Sequence, residues 1–185
     1  MMETRVINAA SEAEITDQLK AYLRREGDAF QHRVCLQDGE KNILLDIDID
    51  PGGGFESGYA TTRFSAPVAS SGDFAFTIHP EGFLSDFAKL FGLQDEVVGY
   101  PEFDKKVIIK TNDAGKVKTV FSDAATRQAI TTLSTFNLQL GNSNAEENTK
   151  KLTLEIEEGI TDPAALLPLY HTFRKVLEQV EKIGL

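Results

Sequence analysis

Apolar residues recur along the chain with two periods, and each change of period marks a new element. Ile15, Leu19, Tyr22 and Leu23 fall at helical spacing and make one face. Ser11 and Glu14 precede them as a capping box, with the hydroxyl placed for the Glu14 amide and the carboxylate for the Ser11 amide. Gly27 can end the run in the left-handed conformation, so the pattern predicts a helix over 12–26. Alternation then takes over. Asp38-Gly39 is a two-residue turn signal, and centring a hairpin there pairs Val34 with Ile43, His32 with Leu45 and Phe30 with Ile47. Strands over 30–37 and 41–49 follow, with those six side chains on one face. The other face carries Gln31, Arg33 and Cys35 opposite Asp46, Leu44 and Asn42.

Pro51-Gly52-Gly53-Gly54 breaks the second strand, and two more strand-like runs come after it, 59–64 and 74–78. The link 67–72 has loop composition, so the four strands are expected to form an antiparallel meander, since short polar links cannot carry a parallel crossover. Pro80-Glu81 opens a further expected helix with Phe83, Leu84, Phe87, Leu90 and Phe91 as its stripe and Gly92 as its stop. After a turn ending at Tyr100-Pro101, Val107-Ile108-Ile109 reads as a buried strand. Asn112 and Ser122 are the expected caps of two short helices, with Val117, Val120 and Phe121, then Ala125, Ala129, Ile130 and Leu133, as their apolar positions.

Phe136, Leu138 and Leu140 alternate with polar residues, as do Leu152, Leu154 and Ile156, and the stretch 141–150 between them reads as a turn or loop. Asp162 and Pro163 start a long final helix whose apolar positions include Leu166, Leu169, Phe173, Val176, Val180 and Ile183. Pro168 inside it removes one hydrogen bond and costs about 3 kcal/mol, which predicts a kink or a main helix from 167 onward. The expected fold class is α+β: a twisted, mostly antiparallel sheet of about seven strands, helices packed on one face, and a long C-terminal helix.

A chain of 185 residues suits one domain over 1–185, with a subdomain split near 95–101 as the alternative. The net charge of −10 argues against a nucleic-acid partner, because that affinity rests on Lys and Arg at the phosphates. Lys105, Lys106, Lys110, Lys116, Lys118 and Arg127 form a basic stretch beside an acidic first half, which makes self-association one expectation. Cys35 is the single cysteine, so neither an intrachain disulfide nor a cysteine-built zinc or iron–sulfur site can form. The first residues lack a basic start followed by an apolar core, and the apolar runs fall far below the roughly 20 residues of a spanning helix. A cytoplasmic chain without a transmembrane segment is the expectation.

Three patterns invite chemistry. Asp46, Asp48 and Asp50 resemble the opening of a calcium loop, but Pro51 stands where glycine must make the sharp turn and Ser57 where a bidentate glutamate belongs. The isoleucines between them call for a strand, so the three acids are expected as a stripe on a solvated sheet face, softened by Arg33. The run 52–54 is followed by no Gly-Lys-Ser/Thr and opens no GxGxxG helix, so it reads as a bend. His32, His79 and His171 sit on separate elements without metal-ligand spacing, and His32 reads as a core histidine. No catalytic, cofactor-binding or metal-ligating residue is assigned, and no cofactor is expected.

Eight of the twelve phenylalanines lie between 55 and 103, together with Tyr59 and Tyr100. Such a concentration fills a core or lines an apolar pocket. The expectation is therefore a non-catalytic protein-interaction or scaffold module, leaning away from an enzyme. The alternatives are a protein for a small apolar or lipid-like ligand, and an enzyme whose carboxylates assemble from distant strands.

The stretch Pro101-Glu102-Phe103-Asp104-Lys105-Lys106, the strand 107–109, Asn112-Asp113, then Val117, Val120, Phe121 and Ser122, resembles a pattern in bacterial domains of unknown function. The ending, an alternating strand, Gly159, Asp162-Pro163 and a long helix, is similar to the same layout. The resemblance covers about residues 97–183 and rests on structural motifs. It implies an α+β domain without an assigned activity, sometimes attached to membrane-anchored chains, and it transfers no functional residue.

Overall fold

The structure is a computed structural model and describes residues 4–26, 29–39, 41–53, 57–68, 72–82, 94–144 and 147–184. The described strands are β1 Arg5–Ala9, β2 Gln31–Asp38, β3 Lys41–Asp50, β4 Tyr59–Val68, β5 Phe76–Pro80, β6 Gln94–Glu96, β7 Val107–Thr111, β8 Phe136–Asn144 and β9 Glu147–Ile156, nine in all. The described helices are α1 Glu12–Glu26, α2 Pro101–Asp104, α3 Ala114–Val120, α4 Ala124–Thr131 and α5 Pro163–Gly184. One open sheet carries all nine strands in the order β1-β2-β3-β4-β9-β8-β5-β7-β6. Every pairing is antiparallel except β1 with β2, which α1 joins as a parallel crossover. The fold is thus α+β with a mostly antiparallel sheet, of nine strands where about seven were expected. The additions, β1 and β6, are short edge strands whose outer rows are polar or exposed, so neither leaves an alternation long enough to read.

The β2–β3 hairpin forms, but Asp38 pairs with Lys41, so the turn starts at Gly39 (φ 60°). Val34 therefore faces Leu45 and His32 faces Ile47, two residues from the expected register. A shift of two keeps every side chain on its expected face, and Val34, Leu36, Ile43, Leu45 and Ile47 are all buried. β2, β3 and β4 are the expected meander, whereas β5 is not its fourth strand. β9 pairs with β4 instead, and β5 lies beyond β8. Just before β5, the Phe74 carbonyl accepts from the buried Lys150 of β9. The β8–β9 hairpin is longer than expected, because ladder pairs continue through Gly141↔Lys151 and Asn142↔Lys150 into the stretch read as loop.

Ser11 and Asp162 cap α1 and α5 as expected, while the caps of α3 and α4 lie one residue from their expected places. Asp113 Oδ1 accepts from the Lys116 amide and Asp123 Oδ2 from the Thr126 amide. Asn112 instead ties two backbones together, accepting from the Ala75 amide and donating to the Asp73 carbonyl. The Ser11 hydroxyl accepts from the Glu14 amide as expected, but the Glu14 carboxylate reaches the Ala10 amide. In α4 the buried positions are Thr126, Arg127 and Ile130, and Ala125 is exposed. α5 runs through Pro168 without interruption and buries Leu166, Leu169, Tyr170, Phe173, Val176, Leu177 and Val180. The helix expected over 83–91, with its stop at Gly92, lies outside the described residues.

Helices cover the apolar face of the sheet. Phe173 of α5 stacks on Phe64 of β4 with centroids 5.7 Å apart, and Phe121, after α3, packs between Phe76 (5.9 Å) and Phe103 (5.3 Å). Phe64, Phe74, Phe76 and Phe103, the described phenylalanines of the 55–103 concentration, are all buried in this core.

Candidate functional site

Polar side chains gather at two places, one on each side of the sheet. On the face that no described helix covers, Arg33, Asp46, Arg63 and Glu155 stand at one level on β2, β3, β4 and β9, so basic and acidic groups alternate across four strands. Arg33 Nε is 3.0 Å from Asp46 Oδ1, and an Arg63 amine is 2.6 Å from Glu155 Oε2. The row continues into Asn137 of β8, which accepts from the Thr77 hydroxyl of β5 at 2.9 Å in a buried contact. The expected acidic stripe is therefore neutralised at Asp46 by Arg33 of β2.

The other two acids of that run are held differently. Asp48 accepts from Gln31 Nε2 through one oxygen and from the Tyr59 hydroxyl through the other, both at 2.9 Å. Asp50 accepts from the Gly52 amide. Together with Phe30 and Ile49 these residues line an open groove of about 460 Å³ at the end of β2, β3 and β4. Phe30 is 59% exposed and Tyr59 is 53% exposed, although both are large apolar rings. The hydrogen bond to Asp48, and then its charge, raise the Tyr59 phenol above its ordinary range. Two glycines permit this end of the sheet. A Cβ on Gly58 would lie 2.4 Å from the Asp50 carbonyl oxygen, and one on Gly159 would lie 2.4 Å from Ile49.

The second gathering is on the helix side. Arg174 of α5 meets Asp38 at the tip of β2, Nε to Oδ2 2.7 Å, and Glu12 at the start of α1 at 3.0 Å, and it also pairs with Glu178. His171, one turn earlier, lies 2.5 Å from the other Glu12 oxygen. Asp38 is nearly buried, and its Oδ1 has no partner among the described residues. Burial and the Asp38 charge push the Tyr170 phenol above its usual range. Beside this hub, Lys175 binds Asp123 at 3.0 Å across a small hollow of about 170 Å³. Bonds from Lys175 and Thr126 hold the Asp123 carboxyl down at about 2. No sequence signal announces the hub, whose members come from both ends of the chain and meet only through tertiary packing.

The histidines stay apart. His32 is buried against the Tyr22 ring, its Nδ1 3.1 Å from the Tyr22 hydroxyl, and burial lowers its pKa. His79 is buried at the end of β5, and His171 belongs to the hub. Cys35 lies half-buried on the uncovered face, with the Gln37 amide 3.8 Å from its sulfur. Among the described residues no group of three His, Cys, Asp or Glu side chains could hold a metal ion, and no helix is long and apolar enough to cross a membrane. Both carboxyl shifts resolved there, at Glu102 and Asp123, are downward.

The basic stretch contributes one fixed cation. Arg127 is buried, its guanidinium carbon 3.7 Å from the centre of the Tyr100 ring and its nitrogens 2.9 Å from Glu102. It also donates to the Phe121 and Ser122 carbonyls.

No known protein family matches this chain, and no curated protein matches it. Among solved structures, the crystal structure of the mycobacterial trehalose monomycolate transport factor A, TtfA, is similar over 90% of this chain and 94% of that one, with 7% identity and a TM-score of 0.45.

Proposed function

We propose that the chain is a non-catalytic protein-interaction module that binds through the uncovered face of β2, β3, β4 and β9. The reading rests on the contrast between the sheet's two faces. One is sealed by helices, while the other presents paired charges and ends in a groove flanked by two exposed aromatic rings. Exposed large apolar groups rimmed by polar residues mark interaction surfaces. The Arg33–Asp46 and Arg63–Glu155 charges of the face are already matched within the chain, which suits a platform better than a reactive centre. All nine strands share one sheet and one core, which supports a single folding unit over 1–185.

The test is crosslinking in the cells that make the protein. A partner joined to residues of the uncovered face, and lost on Arg63→Glu but kept on Glu178→Gln, is the expected result. Turnover of a small molecule that one polar substitution abolishes, with the fold intact, overturns the reading.

A further inference from the structure

We infer that the groove at the end of β2, β3 and β4 receives an arginine side chain from a basic segment of the partner protein. This inference rests on the interaction reading above and names the chemistry of its partner. The groove brings together what a guanidinium binds. Phe30 and Tyr59 supply exposed ring faces, Asp48 and Asp50 supply carboxylates, and none of the residues lining it is basic. A planar cation stacks on aromatic faces and pairs with carboxylates at its edge, and arginine does both where lysine offers a point charge.

Asp48 is already oriented. Gln31 of β2 and the Tyr59 hydroxyl of β4 each bond one of its oxygens from the strands on either side, and each oxygen keeps a further lone pair for a donor arriving through the groove. The chain has built the same arrangement once for itself, with the Arg127 guanidinium 3.7 Å from the Tyr100 ring centre and 2.9 Å from the Glu102 carboxylate. At the groove the ring and the carboxylates come from this chain, and the complementary charge comes from outside it. The net charge of −10 favours a basic partner and speeds its approach.

The experiment titrates three synthetic peptides of equal length into the full chain labelled with ¹⁵N. They are rich in arginine, lysine or glutamate. The expected result is an arginine peptide whose shifts centre on residues 30–31, 48–50 and 59, a weaker lysine peptide and no response to glutamate. Phe30→Ala and Tyr59→Ala should each weaken the arginine peptide about fivefold. Both rings are exposed, so the fold should survive, and an unchanged melting curve verifies it. Equal binding of arginine and lysine, shifts spread over the whole acidic surface, or affinity unchanged by both ring substitutions overturns the arginine site. A crosslinked partner that still leaves with Arg63→Glu while the groove ignores arginine refutes this inference and keeps the interaction module. Loss of both results refutes the module as well.

Discussion

The Arg174 hub and the Arg33–Asp46–Arg63–Glu155 ladder use the same chemical groups in opposite surroundings. In the ladder, Arg33 and Arg63 keep more than two fifths of their side chains in water, while in the hub Arg174 keeps 19% and Asp38 only 5%. Water screens the ladder, so its pairs contribute little to stability and chiefly keep a broad sheet face polar. In the hub, Asp38 has lost most of its water and leaves one oxygen without a partner, so Arg174 carries the compensation almost alone. The hub also joins the start of α1, the tip of β2 and the middle of α5, three places far apart in the chain. The difference teaches that a charge pair here matters by what it excludes from solvent rather than by how close its atoms sit.

That contrast can be broken by substitution. Arg174→Ala should cost about 3 kcal/mol in a urea titration, because it strands a buried carboxylate. Adding Asp38→Asn should recover part of that loss, giving a coupling above about 1 kcal/mol in a double-mutant cycle. Equal costs at Arg174 and Arg63 would erase the distinction.

Asp123 lies between the extremes. Asp123→Ala should cost about 1 kcal/mol, since it removes the cap of α4 and the tie to Lys175. Its folded carboxyl sits at about 2, below the ordinary 3.8, so its contribution is complete above about pH 4 and fades as pH falls toward 2. Melts between pH 5 and pH 2 should therefore show the wild type and the Asp123→Asn chain converging on the acid side. The smallest effect belongs to the ladder. Arg63→Ala should shift stability by roughly 0.5 kcal/mol, and its cycle with Glu155→Ala should vanish at high salt.

The legible parts of the fold were those in which neighbours in sequence are neighbours in space. The face of α1, the alternation of β2, β3, β8 and β9 and the stripe of α5 are local periodicities, and the structure buries the residues they name except Tyr22 and Ile183, which are partly buried, and Phe30, which is exposed. The hairpin register slipped by two because the same alternation fits a turn starting at Asp38 or at Gly39, and only the ladder distinguishes them. Asp113 and Asp123 take the caps expected of Asn112 and Ser122 because each polar pair offers two candidates one residue apart, and tertiary partners separate them: Asn112 is engaged by the backbone at Asp73 and Ala75, and Asp123 is held by Lys175 of α5. The pairing of β4 with β9 was hidden for a deeper reason, since nothing in either strand encodes the identity of its neighbour. The groove was half legible. Asp48 and Asp50 stand out as acids, but Phe30 reads as a core residue, whereas it lies just before the first residue of β2 and is 59% exposed.

The placement of β9 beside β4 also sets the timetable of assembly. As the chain leaves the ribosome, α1 and the β2–β3–β4 meander can form early, yet the far side of β4 must wait until residues 147–156 have emerged. For that interval a bare strand rich in Phe64, Ala66 and Val68 is exposed to other nascent chains. Such distant pairing slows folding and leaves the edge of β4 open to other strands until β9 arrives.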